Sequence, residues 1–456
     1  MNNLVSKSGT FICSTAVALA MAGAVHSHDG PSEALGKVHE NIVIRGAKVF
    51  DGCTPELEAA DVLISGNLIT QIEPNLDAPA DALVIEADGQ VLMPGLIDAH
   101  WHGVIATATV ARLMGSGEGY WNLIAAKAQR DVLYRGFTTI RDAGGPMFDI
   151  ARATDEGLIV GPRVYPSGPQ LTQTSGHGDF RSTNDVPAEH GHLHPFERAG
   201  MFYVADGVPE VLKRAREVLM GGATQVKVHG GGGVTSAYDP IHTVQYTLEE
   251  IRAAVTVAEG WGTYVLTHTI SDESVNHAMD AGVKSIEHGH LVTRETLQRM
   301  ADEDVWLSIQ PFLDDEDAPT LPSADSRAKY ARVTEGTDFV YPTAKELGVK
   351  IAFGTDALFD ENLAARQGAQ LVKLKKWFTP FEALKMATCD NAELLKMSGE
   401  LNPYQEGALG VVEVGAYADL ILVDGNPLEN LDLVGDPAEN FDLIMKDGVI
   451  YKLSLD

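Results

Sequence analysis

Cysteine is scarce, with three in 456 residues, too few for a disulfide scaffold. Positive charge is also short: 34 Lys plus Arg stand against 64 Asp plus Glu, a formal net charge of −30. Binding a phosphate backbone needs a concentrated basic surface, and no basic run supplies one, which argues against a nucleic-acid partner. No apolar run reaches the roughly 20 residues that cross a bilayer as a helix. The sequence also has no G-x-G-x-x-G after a first strand, no G-K-[ST] ending to a glycine loop and no G-x-S-x-G, so dinucleotide-binding, phosphate-loop and serine-hydrolase readings lack support. Nothing repeats with a period of 20 to 50 residues. What is present is a globular composition with 45% hydrophobic residues. That is too apolar for a disordered chain and long enough for about two or three domains with a large core.

At the amino terminus Lys7 precedes an uncharged stretch, Ser8–Val25, with small residues Ala22 and Ala24 in an A-x-A-like arrangement. This pattern predicts a secretory signal over residues 1–24 and a periplasmic or secreted protein with no membrane span after cleavage. Cys13 would leave with the signal. Cys53 and Cys389, far apart in sequence, are expected to be two buried thiols.

Short β-branched runs punctuated by Gly, Asn and Asp occupy roughly 36–94 and return over 404–456. They predict small antiparallel strands, and the shared texture points to one β-sandwich domain built from both ends of the chain. Residues 95–403 have another rhythm: a short apolar run, a polar loop, then a helix-length amphipathic stretch. The runs are GLIDAH (95–100), FTTIRDA (137–143), RVYPSG (163–168), TQVKVHG (224–230), YVLTHT (264–269), KSIEHG (284–289), VWLSIQP (305–311) and KIAFGTDA (350–357). Thr247 with Glu250 predicts a capping box, and Gly221, Gly260 and Gly282 mark expected helix ends. Parallel strands alternating with helices on this scale predict an α/β fold, a (β/α)8 TIM barrel. An open doubly wound sheet is the alternative.

A barrel carries its chemistry at the carboxyl ends of its strands. There the sequence places Asp98, His100, His102, Lys227, His268, His288 and Asp356. Residues two apart in a strand share a face, so His100 and His102 can address one metal. An isolated H-x-H is a weak signal; its meaning comes from the other groups at neighbouring strand ends. Lys227 lies between Val226 and Val228, where an unpaired ammonium is costly to bury. It is part of a buried ion pair, a snorkelling side chain, or an amine of lowered pKa that captures carbon dioxide as a carbamate, an anion able to bridge two cations.

The order HxH, Lys, His, His, Asp resembles the metal-dependent amidohydrolase superfamily. The motifs PGLIDAHWH, GFTTIRDAGG, KVHGGGG, DAGVKSIEHG, AFGTDA and GAYADLILVDGNPL resemble its prolidase-like and ochratoxinase-like branch. The likeness runs from about residue 40 to 450. It implies two divalent ions, usually zinc. His100, His102, carboxylated Lys227 and Asp356 would hold the first, and Lys227, His268 and His288 the second. Such a pair lowers the pKa of a shared water from about 15.7 towards roughly 7, and Asp356 would carry its proton to the departing amine. The implied substrate is a dipeptide or N-acyl amino acid with a free carboxylate, of Xaa-Pro type or an aryl amide of phenylalanine such as ochratoxin. Opening of a cyclic amide or lactone on the same metals is the runner-up, and a non-catalytic binding module the third reading. The resemblance also implies a homo-oligomer.

Candidates for substrate contacts are His177, His229, Tyr238 and His290. Ile270 stands where many relatives carry an aromatic or imidazole group, and it cannot hydrogen-bond in that role. The glycines at 230–233 permit close backbone approach to a ligand. Arg141 with Asp142 is expected to be a structural ion pair. Residues 314–317 read as a solvated acidic loop, and the segment with His190, His192 and His194 as a lid or surface loop rather than an accessory metal site.

Overall fold

A computed structural model describes residues 36, 38–187, 192–236, 238–321 and 323–455. The expected signal segment and His190 lie outside the described residues. In chain order the strands are β1 (Asn41–Phe50), β2 (Leu57–Ser65), β3 (Leu68–Glu73), β4 (Leu83–Glu86), β5 (Val91–Pro94), β6 (Leu96–Trp101), β7 (Phe137–Asp142), β8 (Arg163–Pro166) and β9 (Gln170–Thr172). There follow β10 (Phe202–Val204), β11 (Val226–His229), β12 (Val265–Ser271), β13 (Ser285–Leu291), β14 (Trp306–Ile309), β15 (Ile351–Phe353), β16 (Leu420–Val423), β17 (Phe441–Lys446) and β18 (Val449–Leu453).

Both chain ends meet in one eight-stranded sheet of order β18-β17-β16-β5-β1-β2-β3, with β4 also on β1. Its centre is the antiparallel pairing of β5 with β16, Leu92 opposite Leu422. Ile42, Ile44, Val62, Leu92, Leu420 and Leu443 form its core. The sequence predicts antiparallel strands throughout, but β1 runs parallel to β4 and β5. The strand pairing gives one continuous mixed sheet rather than two separately paired ones.

All eight apolar runs between these ends form strands, parallel to their laddered neighbours in two groups. One sheet is β6-β7-β8; the other is β10-β9-β11-β12-β13-β14-β15, in which the short strands β9 and β10 are additions the sequence pattern did not predict. The ladder therefore does not close into the continuous barrel the sequence predicts. At one break Thr224 N–H donates to Pro166 O, and Gln225 Nε2 donates to Tyr165 O. At the other, Asp356 N–H donates to His100 O. Between strands run amphipathic helices such as Val208–Met220, Leu248–Gly260, Asp272–Asp280 and Arg294–Asp302, burying Val211, Ile251, Val275 and Leu297. The Thr247–Glu250 capping box forms with both hydrogen bonds. Gly260 is the last residue of its helix, as expected, and the turn that follows comes at Gly262 with φ +75°.

Two further expectations are corrected. Cys53 and Cys389 are not free thiols but a disulfide spanning 336 residues of sequence, a pairing that spacing alone could not reveal. The acidic loop is not simply solvated: Arg366 pairs with Glu316 and Asp317, and Lys373 with Asp315 and Asp317. His194 caps the short helix Pro195–Arg198 and stacks on Phe202.

Candidate functional site

The carboxyl end of β6 delivers two imidazoles to one carboxylate. His100 Nε2 lies 3.4 Å and His102 Nε2 3.3 Å from Asp356 Oδ1. The other ring nitrogens are already committed: His102 Nδ1 lies 2.8 Å from Gly144 O, and His100 Nδ1 2.7 Å from Glu287 Oε2. A carbonyl and a carboxylate can only accept, so each Nδ1 carries a proton, and either ring when neutral turns its Nε2 lone pair toward Asp356. Asp356 Oδ1 is itself buried without a hydrogen-bond donor among the described residues. Burial opposes ionisation of Asp356, but His100, then His102 and His288, outweigh it and hold the carboxyl below its ordinary range. Burial likewise opposes a charged His102, and the Asp356 carboxylate reverses the balance, so this imidazole holds a proton more firmly than usual. Burial and Lys227 lower His100 to about 4.

Lys227 is 1% exposed in β11, and its Nζ makes no hydrogen bond or ion pair among the described residues. Burial lowers its pKa to about 8. The sequence alternative of a directly paired lysine therefore does not hold. His268 in β12 and His288 in β13 face each other with ring centroids 4.3 Å apart. His288 Nδ1 meets Gln310 Oε1 at 2.6 Å. Burial pushes both imidazoles well below the usual range.

The structure also gathers a group not foreseen as one. His177, His229 and His268 bring their ligand-capable atoms within 4.8 Å of one another. His177 stacks on His268 at 3.9 Å and is held through Nδ1 by Ser236 Oγ at 2.8 Å and Asp239 Oδ2 at 3.0 Å. A Cβ on Gly233 would sit 2.0 Å from His177 Cε1, so the glycine loop gives this ring its space rather than cradling a phosphate. His229 Nε2 meets Gln170 Oε1 at 2.6 Å, leaving its buried Nδ1 without a partner among the described residues. His290 is buried, with Nε2 on Gln310 O and Nδ1 unpartnered among the described residues. Tyr238, by contrast, is 51% exposed, and Ile270 packs among Ile241 and Val333.

Beneath the imidazoles lies support that the sequence reading missed. Arg141 does not pair with Asp142; its Nη2 donates to Glu287 Oε1 at 2.8 Å and Oε2 at 2.9 Å. Adjacent strand residues point to opposite faces, which separates Arg141 from Asp142. Asp142 instead accepts from the backbone N–H of Gly103 and Gly144, fixing the turns beside His102. Asp98 accepts from Thr355 Oγ1 at 2.7 Å and Gln367 Nε2 at 2.9 Å, and burial raises its pKa to about 6. The signal for Glu287 was available: an acid inside the apolar run SIEHG stands out for the same reason as Lys227.

With both rings neutral, two imidazole lone pairs and a carboxylate oxygen converge in a buried site, a repulsive arrangement that a divalent cation relieves by replacing the proton otherwise held at His102. The residues therefore fit a metal. Each ring is oriented from behind by an acceptor on its other nitrogen, the usual companion of a histidine ligand.

The amidohydrolase family model matches residues 91–454. An ochratoxinase of Aspergillus niger is 29% identical over 437 residues, covering 90% of this chain and 86% of that one. The solved structure of a prolidase complexed with N-methylphosphonate-L-proline superimposes with a TM-score of 0.81 at 33% identity, covering 91% of this chain and 100% of that chain. A Xaa-Pro dipeptidase with methionine in its active site gives a TM-score of 0.77 at 27% identity, with 90% and 100% covered.

Proposed function

The chain belongs to the amidohydrolase family and is a hydrolase of carbon–nitrogen bonds, and from that premise we propose that it cleaves the amide bond of a dipeptide or N-acyl amino acid at a binuclear metal centre. The observation that carries the reading is the convergence of His100 Nε2 and His102 Nε2 on the undonated Oδ1 of Asp356. His100, His102, Asp356 and a carbamate on Lys227 would hold one ion, and Lys227, His268 and His288 the other, with zinc suited to this imidazole-rich set. When bound, the ions supply Lewis-acid polarisation of the scissile carbonyl and acidify water.

The protein's own groups account for the rest. Lys227, lowered to about 8 by burial, is partly a neutral amine near pH 7, the form that adds to carbon dioxide. The Asp356 side chain is 12% exposed although its Oδ1 is sealed, which leaves Oδ2 to take a proton from the attacking water. Asp356 then returns that proton to the leaving nitrogen, since an amine is expelled only when protonated. His177, His229 and His290, buried or half-buried around this centre, would contact the carbonyl or the substrate carboxylate. A terminal proline or an aryl amide of phenylalanine as the leaving side is in keeping with the prolidase and ochratoxinase similarities.

We read the two parallel sheets as parts of one (β/α)8 barrel, since hydrogen bonds join them at both breaks. Residues 36–94 with 404–456 would be its companion domain. An exported location is supported by the Cys53–Cys389 disulfide, because such bonds persist in oxidising compartments. The test is a panel of dipeptides and N-acyl amino acids varied at the carboxyl-terminal residue, assayed with metal-loaded protein. Cleavage that depends on that residue supports the proposal, whereas turnover of lactones or cyclic amides alone refutes it.

A further inference from the structure

The histidine pair and Asp356 come from strands that share no ladder. β6 belongs to the three-stranded sheet and β15 to the seven-stranded one, yet the two backbones run very close. A Cβ on Gly354 would lie 2.5 Å from His100 Cβ and 2.8 Å from His100 N. At this seam Asn391, wholly buried, takes the place of a peptide group. Its Nδ2 donates to Ile97 O at 2.7 Å and to Phe353 O at 2.8 Å, and its Oδ1 accepts from Phe353 N–H at 3.0 Å. One side-chain amide thus reaches the backbone of both strands, three residues before His100 on one and three before Asp356 on the other.

Asn391 is itself fixed from outside the seam. It opens the helix Asn391–Leu395 directly after the π-helical turn Met386–Asp390. In that turn Cys389 is bonded to Cys53, and Thr388 Oγ1 donates to Gly52 O. Both tethers run to the segment just after β1, so the sheet made from the chain ends holds the turn that presents the amide.

We propose that Asn391 is a positioning residue, whose amide sets the spacing between His100 and Asp356 by joining the strands that carry them. The proposal rests on the reading of those two residues as ligands to one ion. If the amide is removed, two carbonyls and one N–H lose their buried partner, and the strand ends are free to separate at the Asp356 N–H to His100 O bond. Asp98 still fastens Thr355, so the seam should loosen rather than open.

The test uses the full-length protein, metal-free for hydrogen exchange and zinc-loaded for chelation and turnover, in wild-type, Asn391→Ala and Asn391→Ser forms, the serine guarding against an alanine variant that does not fold. Hydrogen exchange should quicken by about tenfold or more over residues 97–101 and 353–357 while residues 226–229 and 306–309 stay near wild type. Zinc loss to a chelator should quicken by roughly 10-fold to 100-fold, the range seen when the support of a ligand is removed. Turnover should fall with little change in KM. Exchange that rises everywhere alike, or failure of both variants to fold, would make Asn391 a general stability residue and overturn the proposal. Unchanged exchange with full zinc uptake also overturns it. A wild type that takes up no zinc while the seam-specific exchange persists rejects the metal reading and leaves the joining role standing.

Discussion

Arg141 Nη2 donates to both oxygens of Glu287, at 2.8 and 2.9 Å, with neither side chain exposed to solvent. Glu287 in turn accepts a hydrogen bond from His100 Nδ1–H at 2.7 Å. Burial raises the cost of this carboxylate, but Arg141 and then His100 hold its pKa well below the usual range. Glu287→Gln leaves the guanidinium buried without its charge partner, a loss of about 3–5 kcal/mol. It also weakens the orientation of His100, which should cost roughly 10-fold to 100-fold in metal affinity. Denaturant unfolding and chelator competition check the two effects separately. A variant with wild-type stability and affinity would remove Glu287 from the account.

Asp356 has a double assignment that one substitution can split. Asp356→Asn keeps the shape and one oxygen, so most of the metal should remain, but the side chain can no longer accept and return a proton. Turnover should fall by about 10²-fold to 10⁴-fold, the usual size of general acid–base catalysis. Metal analysis alongside steady-state kinetics tests this, and near-normal turnover would refute the proton role.

The pH dependence of the metal-free protein reports on Lys227. Its pKa is lowered by burial from 10.5 to about 8, so between these values the unfolded chain carries the proton and the folded one does not. Stability from this residue therefore rises with pH through that window and is flat below about 8. The full swing is on the order of 3 kcal/mol. Lys227→Met should flatten the rise when urea midpoints are compared between pH 7.5 and 10, and parallel wild-type and variant curves would contradict the assignment. In the wild type, zinc reconstitution should also need bicarbonate and proceed faster at pH 8.5 than at pH 6.5.

The disulfide offers a fourth check. Closing a loop of 336 residues corresponds to an upper figure of roughly 6 kcal/mol in the chain-entropy model. Cys53→Ser with Cys389→Ser should lower the unfolding temperature by several degrees, as should a strong reductant applied to the wild type. Scanning calorimetry reads both, and an unchanged transition would show that other contacts hold this junction.

Much of the placement of the candidate site was legible because it obeys local rules. Apolar runs ending in His100, His102, Lys227, His268, His288 and Asp356 follow the strand period, and a polar residue at the end of such a run is conspicuous. Glu287 and Arg141 were less visible because their partners are long-range, although strand alternation already forbids the Arg141–Asp142 pair. The Cys53–Cys389 bond and the Asn391 seam depend on how distant segments dock, which no window of sequence contains. The grouping of His177 with His229 and His268 depends likewise on a loop folding back over β12, made possible by the missing side chain of Gly233.

The most direct test of the central claim is amide cleavage by one preparation carried through metal removal and return. Protein loaded with zinc and bicarbonate should bind about two ions per chain, as expected for a two-metal site, and hydrolyse dipeptides or N-acyl amino acids with a free carboxylate. Chelation should abolish the activity, and zinc should restore it. Full metal content without amide cleavage, or cleavage that survives complete metal removal, would contradict the account.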